Sequence, residues 1–188
     1  MTSNLSTVKL PSAIFNRGTL KTKDGVILSA EDKLEMQEAI RQFASALKSE
    51  NGIALCDRIT DDIEIDHPFG YVKGKEDLFS GKGPAIPFFG LRHSYINQVA
   101  FIDEEGAAAM LSHMLITQVT SEVKMDINLP TIYGSLITVH SFRKENNEWK
   151  IHKIDFDQLK LSDHLKESAE NEEKNSESIS ERLAKRTS

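Results

Sequence analysis

The chain is poor in cysteine, with Cys56 as the only one among 188 residues. A single cysteine excludes an intrachain disulfide and a cysteine-rich zinc site. Cys56 falls in a predicted short helix, Ile53 to Ile59, whose apolar pattern is more typical of a buried structural thiol than of a nucleophile. Any catalysis by this chain is therefore expected from other residue types.

The chain also lacks clustered positive charge and long apolar runs. Its net charge is −6 at pH 7, whereas a nucleic-acid partner would need grouped Lys and Arg to replace phosphate counterions. No stretch reaches the ~20 apolar residues of a membrane span, and the N-terminus has no basic segment followed by an apolar run. We expect a soluble, cytoplasmic protein with no nucleic-acid partner and no membrane partner.

Periodicity and composition predict one domain with two extensions. Residues 1–28 show neither helical nor strand periodicity and predict an irregular N-terminal arm that can pack on the domain. Residues 29–161 have the length of a single domain. Residues 162–188 are dense in Glu, Lys and Ser with almost no aromatic or β-branched residues, which predicts a disordered tail or a solvated helix.

The first helix has a clear start signal. Residues 29–32, with the sequence SAED, are typical of a capping box. Apolar residues then recur at the spacing of one helix face, which predicts a buried stripe. The stripe consists of Met36, Ile40, Phe43, Ala44 and Leu47. After the short second helix, the alternating pattern from Ile63 to His67 predicts a half-buried strand.

Two long hairpins follow. The first spans Leu91 to Thr117 through an acidic, glycine-containing turn, and the second spans residues 136–159 through two asparagines that tolerate positive φ. Before them, residues 75–79 predict one or two helical turns. The Gly- and Pro-rich segment 81–90 predicts a long loop, which serves either as a lid or as an ordinary packed connection.

This order of elements is α+β, with an antiparallel sheet that keeps its helices on one face. Residues 29–161 resemble the SnoaL-like branch of the nuclear transport factor 2-like superfamily, which has a cystatin-like cone or half-barrel fold. The resemblance implies a curved antiparallel sheet that wraps around the N-terminal helices and encloses a pocket. It rests on the capped first helix, TDDIEI at 60–65, VKGKED at 72–77, His93 with Asn97 in one strand, IDEEGA at 102–107 and WKI at 149–151.

The resemblance also implies a homodimer formed through the outer sheet face. It implies cofactor-free acid–base chemistry on small, mostly apolar molecules, as in dehydratases, polyketide cyclases, ketosteroid isomerases, dehydrochlorinases and epoxide hydrolases. No metal is expected, since the histidines form no i, i+4 pair and no His-carboxylate motif. Because the fold also hosts members that only bind, the residues of the pocket must decide the function.

Alternation along the first strand of the central hairpin predicts that His93, Tyr95 and Asn97 project to one face, either into the pocket or toward water. The resemblance implies a general acid–base role for His93, whose imidazole changes charge near pH 7. Asn97 is expected to orient that ring or to donate to a developing oxyanion, and Tyr95 to donate to a substrate carbonyl. The alternatives are a mutually satisfied His93–Asn97 pair and a packed Tyr95.

One expected partner of His93 is missing. In many catalytic members of the family the end of the first long helix supplies a carboxylate, and the matching residues here, Ala46 to Lys48, contain none. Glu50 falls at the helix end and Asp66 can point to the outer sheet face, so neither restores the dyad. Three options stay open: another acid serves, His93 works with a second histidine, or the pocket only binds.

Three further histidines, His67, His113 and His140, fall on predicted strands and are candidates for the pocket. The register of the central hairpin decides which side chains face inward. With a four-residue turn Asn97 lies opposite Ser112, whereas a one-residue bulge sets Asn97 opposite His113. Both registers stay open, and we take His113 as a third catalytic candidate, with His67 and His140 as substrate-binding candidates.

An apolar wall completes the expected pocket. Its candidates are Phe88, Phe89, Phe101, Met110, Met114 and Phe142, and core packing is the alternative for them. Together these residues predict a small lyase or isomerase, without cofactor, that uses histidine acid–base chemistry on an apolar small molecule. The alternative function is a noncatalytic ligand-binding or dimerisation module of the same fold.

Overall fold

The computed structural model describes residues 12–15, 18–47, 52, 56–67, 70–79, 91–118 and 131–161. A 3₁₀ turn, Ser12–Phe15, precedes helix α1, Ala30–Ala46; helix α2 is Lys75–Phe79. The strands are β1 Ile59–His67, β2 Gly70–Lys73, β3 Leu91–Ile102, β4 Ala108–Gln118, β5 Thr131–Glu145 and β6 Glu148–Leu161. None of the described helices is long and apolar enough to cross a membrane.

The six strands form one curved, unclosed sheet in the order β2-β1-β6-β5-β4-β3. Together with α1 this sheet confirms the predicted α+β fold class. Neighbouring strands are antiparallel except β1 and β6, which run parallel. The parallel pair arises because β1 joins the sheet beside the last strand, far along the chain, where no hairpin sets the direction. Strand β2 was not predicted, because it is only four residues long, begins with Gly70 and is followed by Gly74.

Helix α1 begins at the predicted capping box. The Ser29 hydroxyl accepts from the Asp32 backbone N–H at 3.0 Å, and the Asp32 carboxylate accepts from the Ser29 backbone N–H at 2.9 Å. The same carboxylate accepts from the Trp149 indole N–H at 2.7 Å and from the Lys144 ammonium at 3.1 Å. These hydrogen bonds, that of Trp149 first, lower the pKa of Asp32 well below its usual value. The Asp32 carboxylate therefore caps the N-terminus of α1 and joins this helix to β6 through the Trp149 indole.

Helix α1 buries its apolar stripe against the sheet. Met36, Ile40 and Phe43 are buried in a core cluster that includes residues of β1, β4, β5 and β6. Met110 and Phe142 belong to this cluster as well. Core packing, the alternative considered for these two residues, is therefore the arrangement that the structure shows, and neither lines the cavity described below.

The opposite face of the sheet carries a second, smaller core. Phe101, Ala109 and Leu111 are buried there, and Ala13 and Ile14 of the 3₁₀ turn pack over them. Four residues of the predicted N-terminal arm thus form a turn that covers apolar side chains of β3 and β4.

The arm makes another contact at the turn between β3 and β4. The Lys23 backbone N–H donates to the Gly106 carbonyl at 2.8 Å. Gly106 has φ +78°, and a Cβ at this position would lie 2.8 Å from Lys23 Cβ. Both the backbone conformation and the space therefore require glycine. Asp103 closes the turn, since its Oδ1 accepts from the backbone N–H groups of Glu105 and Ala107 at 3.0 and 2.8 Å.

The segment before β1 and the turn between β5 and β6 test three local predictions. The helix predicted from Ile53 to Ile59 is wrong over its described part, because residues 56–58 are not helical and Ile59 opens β1; residues 53–55 lie outside the described ranges. Cys56 is a free, buried thiol, and burial raises its pKa, which fits a structural role. The two turn asparagines, Asn146 and Asn147, have φ values of 50° and 68° as predicted. The loop 81–90 and the tail 162–188 also lie outside the described residues.

Replacing Asp32 with alanine should lower the free energy of unfolding by about 2–4 kcal/mol, because α1 loses its cap and the buried Trp149 indole loses its acceptor. Denaturant unfolding measures this loss, with Glu31→Gln in the same exposed turn as the control. Since the folded state favours the carboxylate, the contribution of Asp32 should also be lost as pH falls below its unfolded pKa of about 4. Equal losses in Asp32→Ala and Glu31→Gln would contradict this role.

Candidate functional site

A small cavity lies between the end of α1 and the curved sheet. Its volume is about 40 Å³. Seven of the ten side chains that line it are apolar, and the other three are His67, His93 and Tyr95. The complete lining is Phe43, Leu47, Ile65, His67, Leu78, His93, Tyr95, Met114, Ile116 and Phe156.

The three polar side chains reach the cavity from distant strands of the sheet. His67 ends β1, whereas His93 and Tyr95 lie on the edge strand β3. These strands are four strand spacings apart, which is about 19 Å in a flat sheet. The curvature of the sheet therefore brings the three side chains to one cavity.

His67 is a buried imidazole beside an aromatic ring. Its ring meets the Phe156 ring edge-on, with the centroids 4.7 Å apart. Burial lowers the pKa of His67, since desolvation disfavours the imidazolium ion. At neutral pH the ring is uncharged, with one nitrogen that donates and one that accepts a hydrogen bond.

His93 and Tyr95 share one wall of the cavity. They are two residues apart on β3 and share one face, as alternation predicted, and this face is the inner one. His93 is only 7% exposed. Burial raises the pKa of Tyr95, so its phenol group stays protonated at neutral pH. This wall can supply an imidazole and a phenolic proton to a bound molecule.

His140 lies behind Tyr95 and does not line the cavity. The two rings meet edge-on with centroids 5.2 Å apart. His140 is completely buried, and burial lowers its pKa to about 3. Neither ring nitrogen has a hydrogen-bond partner within the described part of the chain. The ring is therefore neutral across the physiological pH range.

A bulge in β3 takes Asn97 away from the cavity. Asn97 has φ 53°, and the register of β3 on β4 shifts between Ile96 and Val99. The inward alternation of His93 and Tyr95 does not continue to Asn97. The expectation that Asn97 shares a face with His93 is therefore wrong. Neither expected register holds along the whole hairpin, because His113 pairs with Ile96, Ile102 pairs with Ala108, and Asn97 lies in the bulge between them.

Asn97 instead meets His113 on the outer face of the sheet. The Asn97 amide nitrogen lies 3.4 Å from His113 Nδ1, and both residues are exposed. His113 falls between buried Ser112 and Met114 on β4, so alternation turns it outward. The structure separates this pair from the cavity that His93 lines.

Several lining residues were not recognised as such in the sequence. Phe43 and Leu47 were read only as part of the α1 stripe, although their place near its C-terminal end was the available signal. Ile116 and Phe156 had no distinguishing feature beyond strand alternation. The predicted wall residues Phe88 and Phe89 lie outside the described residues.

The cavity lining holds no Asp or Glu among the described residues. Nor does any group of three or more His, Cys, Asp or Glu side chains in the described ranges have an arrangement that could hold a metal ion. A larger, more open depression of about 320 Å³ lies at the C-terminal end of α1. Its Glu38 and Arg41 pair with each other at 2.6 Å and are solvated. The smaller cavity is the better candidate, because buried titratable groups converge there.

Solved structures similar to the chain share this architecture. A protein of unknown function with a cystatin-like fold from Nostoc punctiforme is 28% identical, with a TM-score of 0.51 over 69% of this chain and 94% of that one. Aln2 from a Streptomyces species is 12% identical, with a TM-score of 0.56 over 76% and 98%. A nuclear transport factor 2-like superfamily protein from Salmonella enterica is 14% identical, with a TM-score of 0.51 over 69% and 92%. The chain has the NTF2-like fold.

The resemblance seen in the sequence is thus confirmed at the level of the fold. No family model matches the chain, and no curated protein does. Because distant structural likeness shows the fold and not the chemistry, the function of this chain must be argued from its own cavity.

His140 should make the folding of the NTF2-like chain sensitive to acid. The unfolded residue takes up a proton near pH 6.5, whereas the folded one does so at about 3. Between these values the unfolded state binds more protons, so the free energy of unfolding should fall by up to about 1.4 kcal/mol per pH unit as pH drops below 6.5. His140→Leu should remove this component. Denaturant unfolding of both proteins from pH 7 to about 4.5 measures it, and equal slopes would contradict the prediction.

Proposed function

We propose that the chain is a small, cofactor-free enzyme of the lyase or isomerase kind, in the SnoaL-like branch of the superfamily. It moves a proton on an apolar small molecule bound in the cavity, which has to widen from about 40 Å³ because a cavity that holds a benzene-sized ring has roughly 150 Å³. The observation that supports this proposal most directly is the convergence of His67, His93 and Tyr95 on one otherwise apolar cavity.

The roles follow from the chemistry of the three side chains. His93 acts as the general base and returns the proton as the general acid. Tyr95, on the same wall, donates its phenolic proton to a carbonyl oxygen as negative charge develops there. His67 serves as the second histidine that works with His93, in place of the carboxylate that the end of α1 lacks. Because burial lowers the pKa of His67 and keeps its ring neutral, the ring offers one N–H donor and one acceptor nitrogen.

The apolar lining defines the substrate class. Phe43, Met114 and Phe156 surround the polar groups with hydrocarbon, and transferring an ion into such surroundings is costly. The substrate is therefore uncharged and mostly apolar, with a carbonyl group that acidifies a neighbouring C–H bond.

Hydrogen–deuterium exchange in D₂O tests this without knowledge of the natural substrate. The protein is incubated with a set of cyclic ketones, and mass spectrometry follows deuterium uptake next to the carbonyl. The wild-type protein should accelerate uptake for some members of the set, and His93→Ala should reduce that acceleration by about 10²- to 10⁴-fold, the usual contribution of a general base.

His113→Ala is the matched control, since it removes an exposed histidine from the outer face of the same sheet. Its exchange rate should equal that of the wild type. Full acceleration in His93→Ala, or an equal loss in both variants, would refute the role of His93. Circular dichroism of each variant verifies that the fold is intact.

The second candidate function is a noncatalytic ligand-binding or dimerisation module. The observation that favours it is the lack of a carboxylate among the described lining residues. It predicts that ketones bind, seen as shifts of the His93 ring signals in NMR spectra, while deuterium uptake stays at the uncatalysed rate. The homodimer and the cytoplasmic location expected from the sequence stay predictions.

A further inference from the structure

Three polar side chains on the inner face of the sheet have buried atoms with no hydrogen-bond partner within the described residues. They are Gln98 on β3, Ser112 on β4 and His140 on β5, through Gln98 Nε2, Ser112 Oγ and both ring nitrogens of His140. Ser112 and His140 are completely buried. We call these three side chains the inner polar cluster.

The strand registers place the cluster in one patch. The β4–β5 register sets His140 diagonally across from Ser112 on the same sheet face. Beyond the bulge, the β3–β4 register sets Gln98 beside Ser112. Neighbouring and diagonal side chains on one face of a sheet lie within reach of a common small group.

Tyr95 separates this cluster from the cavity. Its side chain lines the cavity and its ring also meets the His140 ring at 5.2 Å. Strands β3 and β5 are two spacings apart, about 10 Å, so the two rings meet above β4. The small side chain of Ser112 leaves room for them there. A ligand that enters through the cavity therefore has to displace the Tyr95 ring to reach the cluster.

The unpartnered groups define what can bind them. Buried polar groups in native proteins nearly always have a partner, so the cluster needs an occupant. The Gln98 amide nitrogen donates, the Ser112 hydroxyl donates or accepts, and a neutral His140 ring does one with each nitrogen. An uncharged oxygen atom matches these groups and avoids the desolvation penalty of an ion.

We propose that the inner polar cluster is the end of the ligand site that takes a second neutral oxygen atom, a hydroxyl or another carbonyl, of an otherwise apolar ring compound, apart from the carbonyl that Tyr95 contacts. This inference rests on the proposed function, because it assumes that the cavity receives a small molecule. It adds that the inner polar cluster binds an oxygen atom of that molecule.

Phenol and toluene, which differ mainly in one hydroxyl group, are suitable probes. The full-length protein, labelled with ¹³C in its histidine rings, is titrated with each compound, and the His93 ring signal reports binding in every variant. The ratio of phenol affinity to toluene affinity should fall about three- to tenfold in His140→Leu and in Ser112→Ala, since each loses a hydrogen bond to the oxygen. Comparing ratios cancels the intrinsic difference in hydrophobicity between the probes.

Ser141→Ala is the matched control for the cluster variants. Ser141 neighbours His140 in β5, but its hydroxyl donates to Oδ2 of Asp103, in the turn between β3 and β4, at 3.0 Å. The affinity ratio of this variant should equal that of the wild type. An unchanged ratio in His140→Leu and Ser112→Ala would overturn the proposal, as would a failure of both probes to shift the His93 signal in the wild type.

The two proposals fail separately. If the ratio of phenol affinity to toluene affinity depends on His140 and Ser112 but no deuterium uptake is catalysed, the inner polar cluster is supported and the proposed enzymatic function is refuted. Catalysed uptake that depends on His93, with a ratio that is insensitive to the cluster variants, would support the function and overturn the cluster.

Discussion

The extra residue at Asn97 decides which side chains of β3 face the cavity. Up to Tyr95 the odd-numbered residues point inward, and beyond the bulge the even-numbered ones do, since Ala100 and Ile102 pack with the inner core while Phe101 packs with the outer one. Asparagine tolerates the left-handed backbone that the bulge requires. A regular strand would turn Phe101 inward and Ala100 outward, so both cores depend on this one residue.

Curvature and burial together set the chemistry of the cavity. The curved sheet brings His67 on β1 close to residues of β3, which a flat sheet would keep far away. Once buried, His67 loses affinity for a proton and Tyr95 holds its proton more tightly. Desolvation acts on both groups in the direction that removes charge. The cavity therefore offers neutral donors and acceptors, suited to an uncharged molecule.

The N-terminal arm takes part in the packing of the sheet. Ala13 and Ile14 cover the outer core, and Lys23 binds the turn between β3 and β4. The sequence predicted an irregular arm outside the domain that begins at residue 29, because short apolar segments without periodicity carry no secondary-structure signal. Ala13 and Ile14 stabilise the fold by burying Phe101 and Leu111, which would otherwise be exposed on the outer face.

Local signals in the sequence determined the capped start of α1, its buried stripe, the two hairpins and the asparagine turn, because capping, periodicity and turn geometry act over a few neighbouring residues. With the resemblance they also predicted the α+β cone and the place of His93 within it. Only the tertiary structure decided the parallel pairing of β1 with β6 and the register of β3 on β4. It therefore also decided the outward position of Asn97 and His113 and the meeting of His67 with His93, Tyr95 and Phe156. These features depend on contacts between residues far apart in the chain, and a shift of one residue in a strand reverses the face of every side chain beyond it.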